Sequence, residues 1–206
     1  MAAKEIGDAA AAQADYFWRT YQADLAAELS LLEQEDSVRQ KKPDAAHFHD
    51  TMTTFARGTS DEDVLLLQLF ATIYPKRPNE NGAAGLQVLV LASSALRVLA
   101  LIKMLMPLKS RMAKLFARHM KIEEQIEMLT KPHFRIGIGT PARINKLIEA
   151  RPDLFAGVKT VVLDRWIDSK QQSLLSLRDT RKDVWWYWDH YLAKRCKNGD
   201  TQVVLF

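Results

Sequence analysis

Apolar positions along this chain follow two rhythms, and their alternation predicts the architecture. From Ala9 to Asp36 there is no Gly or Pro, and Phe17, Tyr21, Leu25, Leu29 and Leu32 recur at helical spacing, which predicts one long amphipathic helix. The segment from Gln40 to Asp44 reads as a linker, and His47-Phe-His49-Asp50 as the opening of a short helical piece. Val64 to Tyr74 is predicted helical, with Ser60 as its cap, three acids in its first turn and Pro75 at its end. Beyond it, short apolar runs predict strands at Leu86–Ala92, Arg111–Phe116, Phe134–Ile138, Thr160–Leu163 and Gln202–Phe206. Helices are predicted between them: from a Ser93 or Ser94 cap to Met106, then Lys121–Leu129, Pro141–Ala150 and Arg178–Lys197, the last closed by Asn198-Gly199. Strands alternating with helices mean a parallel sheet with crossover helices, hence a three-layer α/β domain. Residues 1–56 are expected to be a helical arm with its linker, and residues 57–206 the domain.

Two aromatic groups need covering. Tyr16, Phe17, Trp18 and Tyr21 head the first helix, and they must pack on the same chain or on a partner. Trp185, Trp186, Tyr187 and Trp188 are too dense for one helical face, so part is expected in the core and part exposed. Because aromatic anchors enrich protein interfaces and aromatics also stack on unpaired bases, Tyr16, Phe17, Trp18, Trp185, Trp186 and Trp188 are candidates for a partner interface, a protein one being favoured for the tryptophan group with Arg181 and Lys182 beside it.

Composition narrows the class. The chain has 206 residues, 48% of them hydrophobic, enough for one domain with an extension. The first residues fit neither a secretory signal nor a transit peptide, and Leu86–Met106 carries Arg97 and Lys103, so no membrane span is expected. Cys196 is the only cysteine, which excludes a disulfide framework or cysteine metal site within the chain. His47, His49 and Asp50 lack a second ligand group nearby in sequence, so no metal is expected. Residues 1–80 hold 8 Lys or Arg against 14 Asp or Glu, and residues 81–206 hold 21 against 11, a balance of −6 followed by +10. A basic body suits a phosphate backbone and an acidic leader suits basic protein or the body itself; an ordinary solvated surface is the plainer reading.

In open α/β sheets ligands dock where strands end. The segment Gly137-Ile-Gly-Thr140-Pro141-Ala-Arg143-Ile144 resembles the Thr-Pro-Gly-Arg motif of DEAD-box helicases, Val161-Val-Leu-Asp164 stands where those proteins carry Asp-Glu-Ala-Asp, and Val88 to Arg97 is similar to their RNA-gripping segment, with Gln125 and Leu129 matching between. The resemblance implies a RecA-like fold and makes Arg143, Thr140, Ser93, Ser94 and Arg97 candidates for RNA phosphate, beside the plainer reading of Thr140 and Arg143 as capping and packing residues and of Ser93, Ser94 and Arg97 as a helix-capping group. It also locates the departures. The P-loop's place falls to Gly58-Thr59-Ser60 followed by Asp61, Glu62 and Asp63, with no lysine for phosphate. Asp164-Arg165-Trp166-Ile167 replaces the second motif, so the residue serving the attacking water is an arginine. Gly58, Thr59, Ser60, Asp164 and Arg165 thus outline a degenerate nucleotide site that takes no cofactor, with Asp164 a relic that caps or pairs with Arg165. The sequence ends at Phe206, where helicases continue into a second domain, and no closing RNA clamp is expected.

A narrower resemblance is carried by Lys114 to Gln125, Ile136 to Arg143, Val161 to Trp166 and Cys196-Lys-Asn-Gly199 with Val203 to Phe206. These are similar to the Cms-one family of small-subunit processome proteins, whose helicase-like domain lacks the ATPase motifs. That resemblance implies a nucleolar, non-enzymatic scaffold in the 90S pre-ribosome, with pre-ribosomal RNA and small-subunit assembly proteins as partners and no small-molecule substrate. A protein-only adaptor and an ATPase completed by a partner are the alternatives.

Overall fold

The computed structural model describes residues 9–28, 30–51, 61–74, 85–118, 120–131 and 133–206. Gly58, Thr59 and Ser60 lie outside them. Among the described residues five strands, β1 (Val88–Leu91), β2 (Met112–Leu115), β3 (Ile136–Gly139), β4 (Thr160–Leu163) and β5 (Gln202–Leu205), pair in parallel in the order β2-β3-β1-β4-β5. Alternating side chains divide the core in two. Val88, Val90, Ile136, Ile138, Val162 and Val204 share one cluster with α3 (Glu62–Ile73) and α4 (Ala95–Met104). Leu89, Leu91, Val161, Leu163, Val203 and Leu205 share the other with α1 (Ala10–Glu28), α5 (Ile122–Thr130), α6 (Pro141–Ala150) and α7 (Arg178–Tyr187). Every residue of β1, β3 and β4 is buried, which is why these strands read as unbroken apolar runs.

Local chemistry sets the helix starts. Ser94 caps α4 by accepting from the Arg97 amide at 3.2 Å, and Pro141 opens α6, where its missing N–H is harmless. Asp61, not Ser60, caps α3, accepting from the Asp63 amide at 3.0 Å. Just before α6, a Cβ on Gly139 would stand 2.2 Å from the Leu115 carbonyl oxygen, so only glycine lets β3 lie this close to the end of β2.

The single N-terminal helix expected from the periodicity is two, α1 and α2 (Leu31–Lys41). Ser30 causes the restart: its amide and hydroxyl donate to Glu33 at 2.9 and 2.6 Å, a Ser-x-x-Glu box that opens a new helix. Leu32 therefore leaves the predicted stripe and is 77% exposed. The turn expected to begin at His47 instead ends there, as a 3-10 turn over Ala45–His47 with Asp44 as its cap. Phe48 then pairs with Val203, and the His49 amide donates to the Val203 carbonyl at 2.8 Å. Gln13 completes this seam, accepting from the Leu205 amide at 2.8 Å and donating to the His49 carbonyl at 3.0 Å, so the outer edge of β5 is covered.

The C-terminal helix is also interrupted. A π turn over Trp188–Leu192 separates α7 from α8 (Ala193–Lys197), and Trp185, Tyr187, Trp188 and Leu192 are all buried. The helix ends as expected on Gly199, at φ +74°.

Candidate functional site

β1 and β4 are neighbours whose onward connections leave in opposite directions, to β2 on one side and β5 on the other. Their carboxyl ends therefore flank the crevice in which open α/β sheets hold ligands. Here the chain fills that crevice itself. Arg97, in the first turn of α4, donates from Nε and Nη2 to the two carboxylate oxygens of Asp164 at 2.8 and 2.9 Å, and it also contacts Glu62, the first residue of α3. The Arg97 and Asp164 side chains are 3% and 1% exposed. Trp166 lies over the guanidinium, 4.9 Å from its carbon to the ring centroid, with its own amide 3.4 Å from Asp164.

Burial and pairing act against each other on both Arg97 and Asp164. Burial opposes the charge on Arg97, yet the hydrogen bonds to Asp164 and Glu62 outweigh it and raise its pKa. Burial raises the pKa of Asp164, with the Arg97 bonds pulling the other way. Two carboxylates of the kind that hold a magnesium ion in phosphoryl transfer are thus committed to one internal cation. Among the described residues no three His, Cys, Asp or Glu side chains converge as a metal site would require.

These positions correct several expectations. Arg97 does not face a phosphate, because its fork is taken by Asp164 and Glu62. Asp164 pairs with Arg97 rather than Arg165, since side chains alternate across the sheet and Arg165 emerges on the other face, 5.8 Å from the Tyr16 ring. Sequence reasoning placed Glu62 at a helix start and among the carboxylates in the P-loop's position, but not against Arg97, which lies 35 residues away with no local signal to find it.

Arg143 is likewise turned inward and 7% exposed. Its Nε donates to Gln125 Oε1 at 2.6 Å and its Nη2 bonds the Met120 carbonyl, while the Gln125 amide donates to the Lys114 and Phe116 carbonyls at 3.0 and 3.2 Å. Burial lowers the pKa of Arg143, with Glu123 and Glu124 opposing. Arg143 therefore secures the β2–α5 loop and presents no fork to a phosphate. Thr140 and Ser93 are half-buried and Ser94 is exposed, all at the carboxyl end of the sheet beside the starts of α6 and α4.

The aromatic residues expected to meet partners are mostly core. Phe17, Trp18, Trp185 and Trp188 are 0%, 6%, 7% and 1% exposed. Phe17 packs 5.2 Å from Trp185 and 4.9 Å from Trp188, Tyr21 donates to Asp189 at 2.7 Å, and the Trp185 and Trp188 indoles donate to Asp24 and the Lys41 carbonyl at 2.5 and 3.1 Å. The first helix covers its own domain, and at this seam the Tyr21 phenol and the Trp185 and Trp188 indoles each find a polar partner. Trp186 turns outward, half-buried and stacked on His190, and Tyr16 is half-buried.

Comparison with known proteins adds the following. The family model described as CMS1, U3-containing 90S pre-ribosomal complex subunit, matches residues 6–206. Protein CMSS1 of Danio rerio is 36% identical over 122 residues, 58% of this chain and 42% of that protein. Protein CMSS1 of Homo sapiens is 29% identical over 133 residues, 63% and 48% of the two chains. Protein CMS1 of Chaetomium thermophilum is 33% identical over 107 residues, 50% and 42% of the two. The chain thus spans less than half the length of these relatives. Among solved structures, it is similar to a DEAD box protein from Methanococcus jannaschii, with TM-score 0.49, 22% identity, and 73% and 37% of the two chains covered. It is also similar to Mss116p bound to ssRNA and AMP-PNP, with TM-score 0.43, 16% identity, and 73% and 30% covered.

Proposed function

The chain belongs to the CMS1 family of U3-containing 90S pre-ribosomal complex subunits, and from that premise we propose that it acts in the nucleolus as a non-enzymatic binding subunit of such a particle. In this reading it holds pre-ribosomal RNA and assembly proteins and turns over no substrate. Within the 1–56 arm, α1 and the 45–49 segment pack on the 57–206 body rather than reaching away as a tether.

The observation that carries the reading is the buried Arg97–Asp164 pair, with half-buried Glu62 beside it, at the β1/β4 switch point. A triphosphate seated there would have to displace an internal guanidinium and meet two carboxylates without a lysine. No glycine in the sequence is followed by lysine, so the lysine of a P-loop has no counterpart. RNA contact falls to the carboxyl end of the sheet, where Thr140, Ser93 and Ser94 open two helices beside exposed Arg118 and Lys121. The protein-only adaptor is favoured by a specific fact, that both arginines expected at phosphate point inward.

Ultraviolet crosslinking of the tagged chain in purified pre-ribosomal particles separates these readings. The scaffold reading expects crosslinks to small-subunit precursor RNA that fall sharply in a Thr140→Glu, Lys121→Glu double variant. Undiminished crosslinks in that variant remove this surface as the RNA contact, and their absence in the wild-type chain leaves the adaptor. Saturable binding of magnesium-ATP to the purified chain overturns the non-enzymatic reading.

A further inference from the structure

Residues 81–122 contain no Asp or Glu and seven Lys or Arg. In the fold the described residues of this stretch include β1, α4, the edge strand β2 and the connection between the last two. Its inward side is satisfied, with Val98, Leu101 and Leu105 buried and Arg97 paired. The outward side is not. Leu96 and Leu99 on α4 and Met106 just beyond it are 74%, 41% and 64% exposed, and together with Lys103 they follow each other at three- and four-residue steps along one helical face. Val64 on neighbouring α3 adds a further exposed apolar side chain, 40% exposed. Lys103, Lys109 and Arg111 surround the Met106 end of this stripe, all are exposed, and none forms an ion pair among the described residues.

We propose that the outer face of α4 is a docking surface for an acidic amphipathic helix of a protein partner. Apolar anchors at helical spacing match the ridge of a second helix, and an adaptable methionine at one end tolerates variation in what it meets. The unmatched cations select the sign of the partner's flanks. They also fix its polarity: Asp61 and Asp63 open α3 near the Leu96 end, so the partner's carboxylates lie over Lys103, Lys109 and Arg111 at the other. An RNA occupant accounts for the cations alone. Aliphatic side chains offer bases no stacking surface, and α4 carries no aromatic residue. This surface adjoins the sheet end assigned to RNA above at Ser94, but the residues varied to test the two are different, so either assignment can fail alone.

The test is a titration of the full chain with a synthetic helical peptide of about four turns, leucines along one face and glutamates on its flanks. Saturable binding is expected, with resonances of Leu96, Leu99 and Met106 shifted. A Leu96→Glu, Leu99→Glu variant, which changes only exposed positions and keeps its melting temperature, should bind about tenfold more weakly. Lys103→Glu should weaken binding and flatten its salt dependence. No saturable binding, equal binding by the leucine variant, or displacement of the peptide by oligouridylate each overturns the proposal.

Discussion

Arg97 lies between the buried Asp164 carboxylate and the half-buried Glu62 carboxylate, and its removal is expected to cost more than a lost contact. Arg97→Ala strands a buried Asp164 and should destabilise the chain by about 3–5 kcal/mol in urea denaturation. Replacing Arg97 with Met and Asp164 with Leu together should recover most of that loss, since apolar packing substitutes well for a buried pair. Equal losses in the single and double variants would show that the desolvated charge is not the cause. Cys196 offers a pH test. Burial, with Arg195 opposing, pushes its thiol up to about 12 from an ordinary 9.0. Above pH 9.0 the unfolded chain therefore sheds a proton that the folded chain keeps until about 12, and stability falls across that window while remaining whole below it. Tyr21, raised by burial and its bond to Asp189, acts in the same sense at higher pH. Native Cys196 is accordingly expected to resist iodoacetamide at neutral pH and to react on unfolding; prompt native labelling would contradict its burial.

At the scale of elements, Phe17 and Leu32 fall in one predicted stripe but separate in the fold. Phe17→Ala should cost about 3–5 kcal/mol, while Leu32→Ser should stay within about 0.5 kcal/mol, both read from denaturation midpoints. Comparable losses would mean α1 and α2 are one continuous core helix after all. The strands were legible because runs such as Thr160-Val-Val-Leu163 are buried on both faces, and α6 because Pro141 marks its start. The break at Ser30 was legible in principle, as a hydroxyl three residues before a glutamate, but helical periodicity runs through it undisturbed. The π turn was not legible, since Trp185, Trp188 and Leu192 already fall on one face at three- and four-residue steps and a single inserted residue leaves no local pattern. The candidate site suffered most. Its sequence neighbourhood placed Asp164 and Arg97 at strand ends, yet a contact across 67 residues leaves no local pattern, and both arginines assigned to phosphate proved to be internal struts.

Across the whole molecule the acidic leader and basic body meet through specific pairs, Asp24 with Arg181 at 2.6 Å and Lys41 with Asp189 at 3.1 Å, more than through a diffuse field. A chain lacking residues 1–56 would bare the Trp185 and Trp188 faces and the outer edge of β5. It is expected to lose cooperative melting and to bind a hydrophobic dye; a truncated chain that melts sharply would show that the arm is dispensable to the body. The seam between α1 and α7 has one more effect, on time. Tyr21 and Asp189 lie 168 residues apart, Asp24 and Trp185 161 apart, so this contact closes a loop nearly as long as the sequence described. Closure of that length comes late on the route to the native state. In stopped-flow measurements Phe17→Ala should therefore leave the refolding rate almost untouched and accelerate unfolding, marking the arm as the last latch to shut and the first to spring.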